Sequence, residues 1–357
     1  MGSSYCTPTK YFTIYMIRLN TAENNHMSET VRLASVGLGW WGEILADGVE
    51  AGDEAEIVSC FSRTTKTRDA FATARCSRQA ATFEDLLADD SVEGLLLATP
   101  HLSHADLIEA AAEAGKHVFV EKPFTLNVAD GKRAIIAAEK AGVVLQVGHN
   151  KRRQVANRRL KTLIDGGELG TVVMVEATQT APMALNFGNE YWRASRDESP
   201  LGSMTSLGVH MIDTLSYLMG PVARVFTFSN TILDKPAIDH VTTIVLEFES
   251  GQLGYLGTSL VAPPSVSITV RGTGGSAWND EDGNKFYRQA LTEKTREAES
   301  IEVIDTVADE ISEFARSIRG DATPETGGAE GLEVIAVLAT AIASSESGQA
   351  ESVSDFR

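Results

Sequence analysis

Three groups of residues in this 357-residue chain have types and spacings that could do chemistry. The first is the run Gly37-Leu38-Gly39-Trp40-Trp41-Gly42, directly after the apolar stretch 31–36. In such a run the first glycine permits a tight turn and the second lets the backbone approach a pyrophosphate. The third allows close helix–strand packing, and the helix N-terminus turns free amides toward the anion. The alternative is a glycine turn that serves packing alone. The second group is Glu121-Lys122-Pro123, after the apolar residues 117–120. At the carboxyl end of a parallel strand Lys122 can reach the reacting end of a cofactor, although a lone lysine is as readily a solvated side chain. The third is His210, with Ser206 four residues before it and Asp213 three after. On a helix Ser206 and His210 share a face; a histidine satisfied at an interface fits the same pattern.

The residues around 59–66 bear on the choice of nicotinamide cofactor. An NAD site normally carries Asp or Glu at the end of the second strand. Here Ser62 and Arg63 stand there, with Lys66 nearby and no carboxylate. Such donors suit a 2′-phosphate, so NADP is expected ahead of NAD. His101 and His104 are spaced like a ligand pair, but no third ligand lies near them in sequence, so no metal site is expected.

These groups need elements to position them. Residues 31–36 read as a strand, 41–50 as a helix and 56–61 as a second strand, the opening βαβ unit of a doubly wound sheet. Short apolar strands follow at 94–99, 117–120 and 143–147, with helices at 83–88, 103–114 and 128–141. The strands are continuous apolar runs, as expected of a parallel sheet covered on both faces. After a connecting helix at 153–163 the character changes. Strands at 171–180, 222–230, 241–249, 254–259 and 266–271 predict a second, mostly antiparallel sheet. Helices are expected at 207–219, 307–318 and 328–344, and loops at 182–200 and 275–290. The predicted division is a leader over 1–30, disordered or ahead of a start at Met27; a dinucleotide-binding domain over 31–150; a substrate-binding and oligomerisation domain over 151–345; and a tail over 346–357.

With 31 Lys+Arg against 49 Asp+Glu the chain carries a formal charge of −18, which argues against a nucleic-acid partner. No apolar run reaches membrane-span length, so no membrane partner is expected. Three cysteines provide no disulfide framework, and a cytoplasmic location is expected.

Taken together, the motifs resemble the glucose–fructose oxidoreductase / inositol dehydrogenase (Gfo/Idh/MocA) family. The resemblance covers about residues 31–345. It rests on GLGWWG at 37–42, ATPHLSHADL at 98–107, AGKHVFVEKP at 114–123, VGHNKRR at 147–153, GELGTV at 167–172, YWR at 191–193, GSMTSLGVHMID at 202–213 and VRGTGGS at 270–276. It implies a Rossmann domain followed by an α/β domain whose open sheet pairs with other copies, as a homo-dimer or homo-tetramer. It also implies hydride transfer between NAD(P) and a hydroxyl or ketone carbon of a sugar, a cyclitol or a related small molecule. The family's catalytic lysine and histidine fall on Lys122 and His210, and its proline on Pro123, with a strained or cis peptide expected. Thr99, Pro100, His101 and Glu121 fall beside the cofactor. His149, Asn150, Arg152, Trp192, Arg193 and Ser206 fall among the substrate contacts, with Lys151 and Arg153 flanking them and Tyr191 close by. Asp213 is expected to be a structural partner.

One position departs from the family pattern. An Asp usually stands four residues before the histidine; here it is Ser206. Three readings follow: a variant proton-transfer arrangement, an unusual substrate, or a non-catalytic dinucleotide-binding sensor.

Overall fold

The computed structural model describes residues 30–188 and 191–357, so the leader expected over 1–30 lies outside the described residues except for its last. The first sheet has six parallel strands: β1 Val31–Val36, β2 Ala55–Phe61, β3 Arg78–Gln79, β4 Gly94–Leu97, β5 His117–Glu121 and β6 Leu145–Gly148. Their order is β3-β2-β1-β4-β5-β6. The order reverses between β1 and β4, and ligands of doubly wound sheets bind at such a switch point, beyond the carboxyl ends of the strands. The glycine loop follows β1 there, and Thr99 follows β4.

The helices between these strands are α1 Trp40–Ala51, α2 Thr65–Arg75, α3 Phe83–Leu87, α4 His104–Glu113 and α5 Val128–Ala141. Local chemistry sets several ends. Thr82 and Asp85 form a capping box on α3, Asn127 caps α5, and Gly142 ends α5 in the left-handed conformation. Helix α2 was not anticipated from the sequence. Of its residues only Phe71 and Ala72 are buried, so it carries no apolar stripe to read.

The second half comprises α6 Val155–Asp165, β7 Val172–Thr180, α7 Val209–Met219, β8 Val222–Asn230, β9 Val241–Phe248, β10 Leu253–Ser259 and β11 Ser265–Gly272. It continues with β12 Gly275–Asp280, β13 Lys285–Ala290, β14 Glu297–Glu299, α8 Thr306–Arg319, α9 Gly328–Ser347 and β15 Glu351–Ser352. The nine strands run in the order β14-β13-β12-β11-β7-β10-β9-β8-β15. Strands β7 and β10 pair parallel, and the other pairings are antiparallel. The fold is therefore an N-terminal Rossmann sheet with a C-terminal, mostly antiparallel open-sheet domain.

Three segments correct the sequence reading. Residues 275–290, expected as a loop, are the β12–β13 hairpin, and Asn279 is buried beneath it against Asn157 at 2.7 Å. The tail expected over 346–357 is fastened: β15 pairs with β8, and Arg357 binds Glu249 and Glu333. Nor does the chain divide cleanly near residue 150. Val307, Ile311 and Phe314 of α8 pack with Val31, Leu33 and Phe119 in the core of the first sheet. Helix α9 is long and apolar enough to cross a membrane by length and composition. A count of uninterrupted apolar residues misses it because Glu330 and Glu333 break the run. In the fold its Val334, Ala336, Val337, Leu338 and Ala341 belong to the second core, and Ile335 to the first.

Candidate active site

The glycine loop is shaped by close approach at one position and by open space at another. Gly37 has φ +88°, and a Cβ there would lie 2.4 Å from the carbonyl oxygen of Ala98. At Gly39 a Cβ would meet nothing within 4 Å, and no side chain caps the α1 N-terminus that follows. These are the features a pyrophosphate needs, namely free amides, the positive end of a helix dipole and room above them. The loop borders a cleft of about 810 Å³, lined by Gly37, Leu38, Gly39, Trp40, Trp41, Ser62, Arg63, Thr99, Pro100 and, from the second half of the chain, Trp192, Arg193 and Glu198. The residues present thus fit a dinucleotide.

Arg63 is exposed at the end of β2. Its neighbour Arg68 is committed, donating to the Ser62 carbonyl at 2.7 Å. His101 lies just beneath the cleft rather than lining it. Its Nδ1 donates to the Glu198 carbonyl at 2.6 Å, and Trp192 packs edge-on against its ring at 4.7 Å. Burial holds its pKa well below the usual imidazole value. His104 bridges two loops: Nε2 faces the Thr99 carbonyl at 3.0 Å and Nδ1 the Pro123 carbonyl at 3.0 Å. Both histidines thus face backbone, not a shared metal. The sequence signal for this bridging was only the pair's position after β4.

At the end of β5 the Lys122–Pro123 peptide is cis. Lys122 Nζ donates to the main-chain carbonyl of Ser206 at 3.1 Å and stands 5.8 Å from the centre of the Trp41 ring. The glycine loop, strand β5 and the α7 segment therefore meet at this amine. Burial lowers the Lys122 pKa to about 8; Glu121 opposes the shift, while Arg193 and Lys151 reinforce it. Glu121 is itself pushed up to about 7 by burial, against Lys122.

His210 lies in the first turn of α7, which follows a π-helical turn over Met204–Gly208. Ser206 and His210 stay on one face, because four residues make close to one turn of either helix. Burial, with Lys122, Lys151 and His149 nearby, holds His210 well below its ordinary pKa, so it is neutral. His149 packs edge-on against it at 6.4 Å, fully buried, with a pKa pulled down to about 4 by burial. Both nitrogens of His149, Nδ1 of His210 and Oγ of Ser206 are buried without a hydrogen-bond partner.

Other expected substrate contacts go elsewhere. The guanidinium of Arg152, buried, grips Asp213 (3.0 Å from Nε) and donates to the Glu325 carbonyl at 3.2 Å. Its fork is spent on structure, and this corrects the expectation that it contacts substrate. Asn150 donates to Thr306 at 3.0 Å, which also turns its amide nitrogen to the start of α8 rather than to the cleft. Arg153 binds Asp309 and Glu313. Lys151 pairs with Asp282 at 2.5 Å. By contrast Arg193 lies over the Trp192 ring at 4.0 Å, is held by the Tyr191 hydroxyl at 2.8 Å and faces the cleft. Sequence reasoning missed Glu198, whose carboxylate accepts from the Leu102 amide at 3.1 Å and so ties the second half of the chain to the cofactor loop.

Comparison with known proteins agrees with this geometry. Residues 31–149 match the family model described as an oxidoreductase family with an NAD-binding Rossmann fold. Residues 157–278 match that of the GFO/IDH/MocA C-terminal domain. The oxidoreductase YrbE of Bacillus subtilis is 31% identical over 56% of this chain, and the match spans 58% of that protein's length. Myo-inositol 2-dehydrogenase of Thermotoga maritima is 27% identical over 84% of this chain and 92% of its own. Among solved structures, an oxidoreductase of Desulfitobacterium hafniense, described as NADPH-dependent, superposes with a TM-score of 0.87 at 31% identity, covering 92% of this chain and 99% of that one.

Proposed function

Because the chain belongs to the Gfo/Idh/MocA family of NAD(P)-dependent oxidoreductases, we propose that it moves a hydride between NADP and a hydroxyl or ketone carbon of a sugar, a cyclitol or a related small molecule. The observation that carries this reading is the convergence of Lys122 and the His210 segment beside Trp41, which lines the cofactor cleft.

A bound nicotinamide supplies the hydride donor or acceptor. The protein's own part is to position and to move a proton. Amides of residues 37–42 would hold the pyrophosphate, and Ser62 and Arg63 would receive the 2′-phosphate. In the reducing direction the Lys122 ammonium gives a proton to the carbonyl oxygen, and in the oxidising direction its neutral amine takes the hydroxyl proton. His210 is neutral and orients the reacting oxygen. Arg193 and Trp192 hold the substrate. The relative described as NADPH-dependent supports the cofactor choice.

The outer face of the second sheet exposes Phe228, Val245, Leu253 and Tyr255. Phe226, Val245, Tyr255 and Glu176 lie opposite one another across four adjacent strands, so this side of the sheet is continuous. A second copy of the chain is the partner we assign to it, giving a homo-dimer or homo-tetramer.

The test is a panel of sugars, cyclitols and their ketones, followed by NADPH formation or loss in the wild type and in Lys122→Ala. A loss of about 10²–10⁴ in turnover with cofactor affinity retained is expected. Reduction should also decline as pH rises through about 8, where the Lys122 ammonium is lost. Wild-type turnover in Lys122→Ala would remove the assignment.

A further inference from the structure

Beneath Lys122 the interior holds more carboxyl groups than it can hold as anions. Strand register places Glu121 opposite Gly148 and Phe119 opposite Gln146. Side chains two apart on a strand share a face, so Phe119, Glu121 and Gln146 all point to the side of the sheet that α8 covers. Phe119 meets Phe314 of α8 there at 5.9 Å. Gly148 makes the room for Glu121: a Cβ at 148 would lie 2.8 Å from Glu121 Oε1.

Glu310 of α8 points into the same space. It has no solvent exposure, and neither of its carboxyl oxygens has a hydrogen-bond partner. Glu121 Oε1 and Gln146 Oε1 are equally without partners. The Lys122 amide donates to Oε2 of Glu121 at 3.2 Å, and the Trp41 side chain lies beside the same carboxyl group. Gln146 donates from its amide nitrogen to the Glu310 main-chain carbonyl at 2.8 Å, and its second N–H bonds neither Glu310 carboxyl oxygen nor Glu121 Oε1.

The surrounding charges do not compensate. From its own helix Asp309 and Glu313 face Glu310, and from β5 Glu121 does. The cation that acts most strongly on it is Arg153 of the turn before α6, and that guanidinium is already bound by Asp309 and Glu313. Glu121, for its part, faces Lys122 and Arg193. Lys122 can balance Glu121 as an anion, whereas the Glu310 carboxyl group has no hydrogen-bond partner and, as its main cation, an Arg153 already bound elsewhere. A second carboxylate in this dry pocket is therefore unfavourable enough that one of the two keeps its proton.

We propose that Glu121 and Glu310 hold one proton between them, carried by Glu310, and that this shared proton keeps Glu121 anionic as the counter-charge of Lys122. Glu310 is then a positioning residue that reaches Lys122 through Glu121. Burial pushes the Glu310 pKa well above the carboxylate range, which agrees with the geometry. The catalytic consequence rests on the reading of Lys122 as the proton donor. The proton count and the Lys122 titration do not, and they can be measured without any substrate.

The test uses the full-length protein in three forms: wild type, Glu310→Gln and Glu310→Met. Glutamine mimics the protonated acid and can still donate to Glu121; methionine fills the space and donates nothing. Infrared spectra at neutral pH should show a protonated carboxyl group in the wild type that vanishes in Glu310→Gln. In protein carrying ¹³C-lysine, the Lys122 side-chain resonance, assigned by its loss in Lys122→Arg, should titrate within about 0.3 of the wild-type midpoint in Glu310→Gln. In Glu310→Met it should titrate roughly one pH unit lower, because Glu121 takes up a proton and the counter-charge is lost. No protonated carboxyl in the wild type, or one that persists in Glu310→Gln, overturns the proposal. Equal midpoints in the Gln and Met forms overturn it as well. If the Met form does not fold, the infrared comparison with Glu310→Gln still decides.

Discussion

Lys122 Nζ donates to the main-chain carbonyl of Ser206 at 3.1 Å, while the Ser206 hydroxyl, buried, has no partner at all. The lysine therefore reads the backbone at this position and not the side chain. That explains how a chain lacking a carboxylate at 206 still holds Lys122 against the α7 segment. Ser206→Ala should accordingly change turnover by no more than about fivefold, the effect of one neutral hydrogen bond. Ser206→Asp puts an anion beside the neutral His210. The His210 midpoint, followed by its imidazole proton resonances, should rise by at least about one pH unit. An unmoved midpoint would mean that residue 206 does not sense His210.

The two ends of the glycine turn should respond differently to a methyl group. At Gly39 the protein leaves open space, so Gly39→Ala should keep its thermal stability and lose cofactor affinity, because only a bound pyrophosphate stands there to be crowded. At Gly37 the added carbon meets the Ala98 carbonyl and the backbone is left-handed, so Gly37→Ala should lose stability as well. Calorimetric titration with NADPH and thermal denaturation of both variants check this. Unchanged NADPH affinity in Gly39→Ala would displace the pyrophosphate from this loop.

Arg63 is exposed at the end of β2 and free to meet a 2′-phosphate. Arg63→Ala should weaken NADPH by roughly 1.5–3 kcal/mol, the size of a hydrogen bond to a charged group, and leave NADH nearly unaffected. Parallel titrations with both cofactors measure the difference. Equal losses would show that the arginine does not read the phosphate.

His149 gives the fold an acid-sensitive element. Its folded pKa, about 4, lies below the ordinary value of 6.5 because burial disfavours the cation. The unfolded chain therefore binds a proton first as pH falls, so stability is full above about 6.5 and declines toward 4. For this one group the loss is on the order of 3 kcal/mol. Urea unfolding at pH 7 and pH 5 should show a smaller difference in His149→Asn than in the wild type. An identical difference in both proteins would place the acid sensitivity elsewhere.

What the sequence by itself determined is whatever depends on neighbours in the chain. The run GLGWWG between an apolar strand and a helix, the placement of Glu121-Lys122-Pro123 at a strand end, and the missing carboxylate at the end of β2 were legible because a turn, a strand end and a helix face repeat over a few residues. The change from parallel to antiparallel strands was legible from the switch in punctuation. Helix α2 was not, since a mostly exposed helix has no stripe to betray it. Tertiary structure alone decided where long side chains go. Lys151, Arg152 and Arg153 are consecutive, yet they turn to Asp282, Asp213 and the Asp309–Glu313 pair. The Arg152 partner is 61 residues away, and no periodicity connects the two. Likewise the return of α8 over the first sheet set Glu310 above Glu121, a meeting fixed by the packing of Phe314 and Val307 against Phe119 and Leu33. Spacing within an element is local geometry; partnership between elements follows from which apolar faces bury one another and which buried charges are then left to share what the core provides.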